Sequence, residues 1–313
     1  MAGDASNRIY ERLRQPDGKR AVLMDAPPEK GEDVGAFARI ARYLAGIDLS
    51  APEIFAMDGD NGFLLIEDLG DDLFSRCIAR DPTLSVPLYS AAVDVLSHLH
   101  RQNPPDGLAR YEADTTVPLA ALVYDWYVPG VTGSEAGGSR DTFLQMADQI
   151  LRPYDPECTV LIQRDYHAEN LLWLPERSGL RRVGLLDFQS AEIGHPVYDL
   201  VSVLRDARRD VSQATEALMK TRFVAQNGLN RDEFDRAYAV FGLQRNLRIM
   251  GGFSRLCMHF GKADYVQLIP RVWGHVQSSL EHPDLAELAQ HIRATLPEPE
   301  PDALARLAAK VAA

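Results

Sequence analysis

Arg164-Asp165-Tyr166-His167-Ala168-Glu169-Asn170, followed by an apolar run and then by Leu185-Leu186-Asp187-Phe188, decides how this chain is read. The residue types are those that phosphoryl transfer needs. An aspartate can accept the proton of an attacking hydroxyl, while an asparagine five positions on and a second aspartate among apolar residues offer hard oxygen ligands to Mg²⁺ bridging the phosphates of ATP. Asp165 is therefore the candidate base, and Asn170 and Asp187 are the candidate metal ligands. One aspartate after an apolar run is more often a cap or turn former. The case rests on the three residues together, at this spacing.

Composition sets bounds around that stretch. At 313 residues, with 46% apolar and 25% charged residues, the chain has room for two lobes, each able to bury a core. A net charge of −12 and a pI near 5.1 argue against a nucleic-acid surface, which needs clustered Lys and Arg. Cys77, Cys158 and Cys257 are widely spaced and form no C-x-x-C pair, so neither a disulfide framework nor a zinc site is indicated. The start lacks the pattern of a secretory signal, and no apolar run approaches the ~20 residues that span a bilayer. A cytoplasmic protein with a small-molecule partner is expected, with neither nucleic acid nor membrane as a partner.

Outward from the opening stretch, the N-terminal part reads as a small β-rich lobe. Residues 8–13 and 20–25 are strand candidates joined through Gln15-Pro16-Asp17-Gly18-Lys19, where Asp-Gly marks a tight turn. Val34, Phe37, Ile40, Ala41 and Leu44 share one helical face, with Gly46 placed to stop the helix. Residues 53–57 and 63–67 form a second hairpin across Asp58-Gly59-Asp60-Asn61-Gly62. From Asp71 onward the pattern turns helical, which places the lobes at residues 1–70 and 71–313. Residues 130–139 read as a glycine- and serine-rich loop, residues 160–162, 171–174 and 183–186 as short strands, and the chain after Pro196 as helical.

Other residues carry weaker signals. His167 can point at the acceptor or at phosphate, or simply bond to backbone. Arg164 is read as pairing with a carboxylate. Asp199, in Gly194-His195-Pro196-Val197-Tyr198-Asp199-Leu200, reads as a buried acceptor for loop N–H groups, a scaffolding role. Gly3-Asp4-Ala5-Ser6-Asn7 can wrap phosphates through backbone N–H groups and the Ser6 hydroxyl, making Ser6 and Asn7 nucleotide-binding candidates. Glu67 and Leu69, at the end of the last strand of the small lobe, stand where kinases present backbone groups to adenine.

With these residues in place, the chain resembles the aminoglycoside phosphotransferase and choline kinase-like group of small-molecule kinases. Within that group it is most similar to the anomeric sugar kinases acting on N-acetylmuramate and N-acetylglucosamine in cell-wall recycling. The matching stretches include Gly3-Asp4-Ala5-Ser6, Val22-Leu23-Met24-Asp25-Ala26-Pro27-Pro28, Leu65-Ile66-Glu67-Asp68-Leu69-Gly70, Gly184-Leu185-Leu186-Asp187-Phe188-Gln189, Leu204-Arg205-Asp206-Ala207-Arg208-Arg209-Asp210 and Gly242-Leu243-Gln244-Arg245-Asn246-Leu247. The resemblance implies an α+β, two-lobed protein-kinase-like fold with a β-rich N-lobe and a larger, mainly helical C-lobe. It implies ATP and Mg²⁺ as cofactors and transfer of the γ-phosphoryl to the C1 hydroxyl of an amino sugar. Tyr127, within Tyr124-Asp125-Trp126-Tyr127, would stack on the sugar, and Arg245 would meet the lactyl carboxylate of N-acetylmuramate.

Two departures from that group stand out. The strand lysine that contacts the α- and β-phosphates has no counterpart at Leu23 or Met24, leaving Lys19 and Lys30 as nearby cations. The glycine loop begins at Gly3, where relatives place a helix and a strand before it, so the N-lobe is expected to lack its first strand and the start codon to be assigned late. An aminoglycoside or other amino-alcohol phosphotransferase is the second kinase reading, favoured by the acidic charge. A pseudokinase or nucleotide-binding scaffold is the reading from another class, and intact Asp165, Asn170 and Asp187 speak against it.

Overall fold

The computed structural model describes residues 7–310, so the Gly3-Asp4-Ala5-Ser6 stretch lies outside the described residues. Alternating side chains and two tight turns build the first element. Strands β1 (Ile9–Arg14), β2 (Arg20–Asp25), β3 (Ile54–Asp58) and β4 (Phe63–Glu67) form an antiparallel sheet in the order β1-β2-β4-β3. Gly18 takes φ 88 in the first turn, a conformation open to glycine at no steric cost. Gly62 takes φ 76 in the second, and a Cβ there would meet the Ala26 carbonyl oxygen at 2.2 Å. Val22 pairs with Ile66 and Met24 with Leu64, and these four side chains fill the buried face of the sheet.

Helix α1 (Val34–Gly46) follows β2 and buries Phe37, Ala38, Ile40, Ala41 and Leu44, the face that the sequence pattern marks out. Asp33 caps it by accepting the Gly35 N–H at 2.7 Å. Gly46, expected to stop the helix, is its last residue; the left-handed turn is made by Asp48, at φ 62. Helices α2 (Phe74–Arg80) and α3 (Ser85–Leu99) come next. Further on lie α4 (Ala113–Leu122), α5 (Val128–Thr132) and α6 (Gly138–Leu151), then the short strands β5 (Val160–Ile162), β6 (Leu171–Trp173), β7 (Val183–Leu185) and β8 (Glu192–Gly194). The rest is helical: α7 (Val197–Leu204), α8 (Gln213–Asn227), α9 (Arg231–Phe260), α10 (Ile269–Ser279), α11 (Ala286–Thr295) and α12 (Pro301–Ala308). The α+β content expected from the sequence is what forms. None of the helices among the described residues is long and apolar enough to cross a membrane.

The chain makes two compact units. One takes the chain as far as Leu108, together with Val160–Glu192 and Ala214–Phe223. The other takes Ala109–Thr159, Ile193–Gln213 and the chain from Val224 onward. In the first unit Arg222 of α8 grips Asp94 of α3 with two parallel hydrogen bonds of 2.7 and 2.8 Å.

In the second unit α9 is the axis, capped by Asn230, whose side chain accepts from the N–H groups of Asp232 and Glu233. Gly251 lets α9 approach α4 closely: a Cβ there would lie 2.3 Å from the Leu122 carbonyl carbon. Immediately after α4, Val123–Tyr127 widens into a π-helical turn where a regular helix was expected. Pro129 follows, with no N–H to close an ordinary turn. Residues 130–139 are also more helical than their composition suggests. Gly130 lies inside α5, and a Cβ on it would meet Leu307 Cδ1 of α12 at 2.4 Å, so this glycine serves helix packing, not loop freedom.

The polar core of this unit includes His195, whose ring stacks on Phe241 with centroids 4.5 Å apart. Its Nδ1 accepts the Val197 N–H and its Nε2 lies 3.2 Å from Glu157 Oε2. Burial lowers the His195 pKa below the usual value, against a smaller opposing pull from Glu157. Cys158 is a buried free thiol pushed up to about 12 by burial, which makes it a poor nucleophile.

Two outcomes follow for stability. Gly251→Ala must push α9 off a backbone, which rigid packing resists; an unfolding free energy lowered by about 3 kcal/mol is expected from urea titration. A His195 that stays neutral when folded leaves the unfolded chain holding more protons below pH ~6.5, so stability should fall as pH drops through that value. Thermal melts from pH 7 to 5 should show a shallower decline in His195→Gln than in the unaltered chain.

Candidate active site

Two three-residue strands bring the candidate metal ligands together. In the β6–β7 pair Leu171 faces Leu185 and Leu172 faces Gly184, so Asn170, just before β6, and Asp187, just after β7, emerge at the same end. The Asn170 carbonyl accepts the Leu186 N–H at 3.0 Å, extending the pairing by one bond. Asn170 Nδ2 donates to the Asp165 backbone oxygen at 2.9 Å and lies 3.5 Å from Asp187 Oδ2. Gly184 packs closely in this pair, since a Cβ there would sit 3.1 Å from Leu172 Cβ and from Leu174 Cδ1 and those side chains would have to give by a few tenths of an ångström.

The loop holding Asp165 is pinned on several sides. Tyr166 is 1% exposed and its hydroxyl donates to the Ala92 carbonyl of α3 at 2.9 Å. The Ala168 carbonyl accepts the Ser75 N–H of α2 at 3.0 Å. Arg164 takes φ 69 and pairs with Glu192 at 3.4 Å, the carboxylate partner expected for it. His167 is 8% exposed, and its Nε2 lies 3.4 Å from Asn170 Nδ2. Asp187 also takes a positive φ, 57, a strained conformation of the kind that clusters at functional sites. Behind it Phe188 is fully buried against Phe37 of α1, with ring centroids 4.9 Å apart.

Polar contacts that the sequence reading missed surround this cluster. Arg8 reaches Asp187 Oδ1 through Nη2 at 3.0 Å and Glu32 through Nε at 3.3 Å. Gln189 Nε2 donates to the same Asp187 oxygen at 2.8 Å. Asn7 belongs to the same corner: its backbone N–H donates to Glu32 Oε1 at 3.0 Å and its side chain to the Lys30 carbonyl at 3.3 Å. Ser6 lies outside the described residues. The segment after β4 is held in turn by Arg12, which reaches Asp68 at 2.8 Å and Asp71 at 2.9 Å. Arg12 holds the Asp71 carboxyl below the usual range. Glu67 accepts from Arg177, which also donates to Ser50 Oγ at 2.7 Å. Its own N–H goes to the Glu53 carbonyl at 2.8 Å. Leu69 reaches toward Gly184, its Cδ1 lying 3.3 Å from where a Cβ on that glycine would stand.

The remaining candidates belong to the second unit. Tyr127 is fully buried in the π-helical turn, its hydroxyl donating to the Pro297 carbonyl at 2.9 Å, and burial pushes its pKa up. Arg245 is 3% exposed in the middle of α9, with Nη1 3.4 Å from the Arg205 carbonyl. Asp199 is fully buried in the first turn of α7. The first unit thus gathers Asp165, Asn170, Asp187, His167, Asn7, Glu67 and Leu69, and the second holds Tyr127, Arg245 and Asp199.

The chemistry of this arrangement agrees with what the chain resembles. Residues 1–239 match the family model described as the phosphotransferase enzyme family. An N-acetylmuramate/N-acetylglucosamine kinase of Caulobacter vibrioides is 36% identical over 325 residues, covering 92% of this chain and 89% of the relative. A kinase with the same name in Pseudomonas aeruginosa is 31% identical over 306 residues, covering 95% and 88%. Among solved structures, a choline/ethanolamine kinase family protein from Mesorhizobium loti matches with a TM-score of 0.61 at 14% identity, covering 93% of this chain and 94% of that one. That likeness shows a common protein-kinase-like fold, as the catalytic stretch implied.

Phe37 is the apolar backing of the metal-ligand segment, so Phe37→Ala should cost about 3–4 kcal/mol on urea unfolding through the cavity it leaves. Full stability in that variant would show that α1 does not support the Asp187 turn.

Proposed function

Because the chain belongs to the phosphotransferase enzyme family, we propose that it moves the γ-phosphoryl of ATP onto the C1 hydroxyl of N-acetylmuramate or N-acetylglucosamine. The observation that carries this reading is the meeting of Asp165, Asn170 and Asp187, with the Asn170 amide 2.9 Å from the Asp165 carbonyl and 3.5 Å from the Asp187 carboxylate. The acceptor class follows from the two relatives that share 36% and 31% of their residues with this chain over nearly its whole length.

The donor set suits a hard divalent cation: one carboxylate and one amide oxygen, with no thiol or imidazole pair beside them. Asn170 and Asp187 would hold Mg²⁺, and the Asp187 side chain, 39% exposed, is open to it. Bound there, Mg²⁺ would neutralise charge on the transferring phosphates. Asp165 accepts the proton of the acceptor hydroxyl as it attacks. Tyr166, Ala168 and Arg164 keep the loop from turning away, through their bonds to Ala92, Ser75 and Glu192. His167, its Nε2 3.4 Å from Asn170 Nδ2, would be a group that can touch the acceptor or the transferred phosphoryl. Glu67 and Leu69 would present the strand end to adenine, with the small lobe ending near residue 70.

The test is ADP release measured with N-acetylglucosamine, N-acetylmuramate, kanamycin and choline, with phosphorus NMR placing the phosphate on the product. Turnover of the two sugars with the phosphate on C1 is expected. Turnover of kanamycin alone would make the chain an aminoglycoside kinase, and nucleotide binding without turnover a scaffold. Asp165→Asn should lower kcat by about 10²–10⁴ while ATP affinity stays within a few-fold.

A further inference from the structure

The sheet of this chain lacks a charge where phosphate chemistry calls for one. A kinase of this fold presents a strand lysine to the nucleotide phosphates, paired with a glutamate of the following helix. Here the corresponding part of β2 reads Val22-Leu23-Met24-Asp25, and Met24 is 1% exposed with no charge to offer. Lys19 sits in the β1–β2 turn with its side chain 80% exposed, paired to Asp17 at 3.3 Å, and Lys30 is exposed after β2. Among the described residues, neither pairs with the candidate metal-ligand segment.

Arg8 does. The β1–β2 register places Tyr10 directly opposite Met24, so the two share a face of the sheet. Arg8 stands just before β1, two residues from Tyr10, and its Nη1 lies 3.4 Å from the Tyr10 hydroxyl, which puts it on that same face. Its guanidinium therefore stands on the face where the lysine is missing. It is 10% exposed, and its contacts there include Nη2 to Asp187 Oδ1 at 3.0 Å, Nε to Glu32 Oε2 at 3.3 Å, and Nη1 to the Tyr10 hydroxyl at 3.4 Å.

Glu32 is placed as the partner of such a cation. It lies directly before the Asp33 cap of α1, and its other oxygen takes the backbone N–H of Asn7 at 3.0 Å. One carboxylate thus holds both the Arg8 guanidinium and the main chain of the residue preceding it. The position of Arg8 is set from the helix side, independently of Asp187.

We propose that Arg8, held by Glu32 at the start of α1, is the cation that contacts the nucleotide phosphates in place of the absent strand lysine. The proposal rests on the kinase reading above and adds to it a residue outside the strand. In the structure the guanidinium bonds to Asp187, the carboxylate on which the phosphate-bridging metal is expected. A planar, permanently charged fork at this point suits phosphate oxygens. The opposite arrangement, with Arg8 serving only to brace the Asp187 turn, makes a different prediction about which ligands it affects.

Binding measured without an acceptor separates the two. Calorimetry with MgADP, with ADP in EDTA and with adenosine, which has no phosphates, is run on the unaltered chain, Arg8→Met, Arg8→Lys and Glu32→Gln. With the metal removed, Arg8→Met still weakens ADP if the guanidinium meets the phosphates, and leaves it unchanged if Arg8 only braces Asp187. Arg8→Met is expected to weaken MgADP by about 10- to 100-fold and adenosine by less than about twofold. Arg8→Lys should recover part of the loss, since the charge returns without the fork. Glu32→Gln keeps the guanidinium and should weaken MgADP in the same direction but less, which preserves the test if Arg8→Met folds poorly. Unchanged MgADP affinity in the Arg8 variants, or equal loss for MgADP and adenosine, overturns the proposal. Absence of MgADP binding by the unaltered chain overturns the kinase reading itself, and absence of sugar turnover overturns only the acceptor.

Discussion

Two oxygen-bearing side chains, Asn170 and Asp187, have to stand within a few ångströms of each other at the ends of strands only three residues long. So short a pair cannot hold itself in place, because an isolated two-stranded ribbon is marginal in water. The neighbouring segments of the first unit supply what is missing. Leu185 donates its N–H to the Ser50 carbonyl at 2.7 Å and Trp173 donates to the Asp72 carbonyl at 2.7 Å, so the loop after α1 and the segment before α2 each tie down one strand. Gly184 keeps the strands free of a clash with Leu172 and Leu174. Phe188 then anchors the turn in the apolar contact with Phe37.

Charge is organised around the same point. An arginine between two carboxylates, Arg8 between Glu32 and Asp187, keeps a partly buried acid from standing unpaired next to other acids. The second arginine of the segment, Arg12, is more exposed and binds Asp68 and Asp71, where exposure makes the pairing weaker but still geometrically directive. Arg177 performs the corresponding service for Glu67 and Ser50. In an acidic chain of net charge −12, these arginines are spent where carboxylates converge.

The legible parts of the sequence were those whose signal is local. The Asp-Gly turn, the strand at Arg20–Asp25 and the apolar face of α1 follow from dihedral preferences and periodicity, and each formed as read. Glycine was less readable, because its role depends on what lies opposite. Gly46 stays helical while Asp48 makes the turn, and Gly130, taken for a loop residue, is a contact with Leu307. The π-helical turn carrying Tyr127 starts where Gly251, far along the chain, comes close to the Leu122–Val123 backbone, and Pro129 follows it. Arg8 is illegible for the same reason: its partner Asp187 is 179 residues away, beyond any local pattern.

The triad of candidate site residues could be named from the chain alone, since Asp165, Asn170 and Asp187 are defined by residue type and by spacing along a single strand-turn-strand segment. The fold class came with the family resemblance that these residues and the matching stretches around them carry. The surroundings of that triad were decided only by tertiary structure. Which cation faces Asp187, which hydroxyl is exposed and which is spent on a carbonyl, and which glycine is there for want of space are properties of residues far apart in sequence. Burial and close approach set them, and no local pattern encodes either.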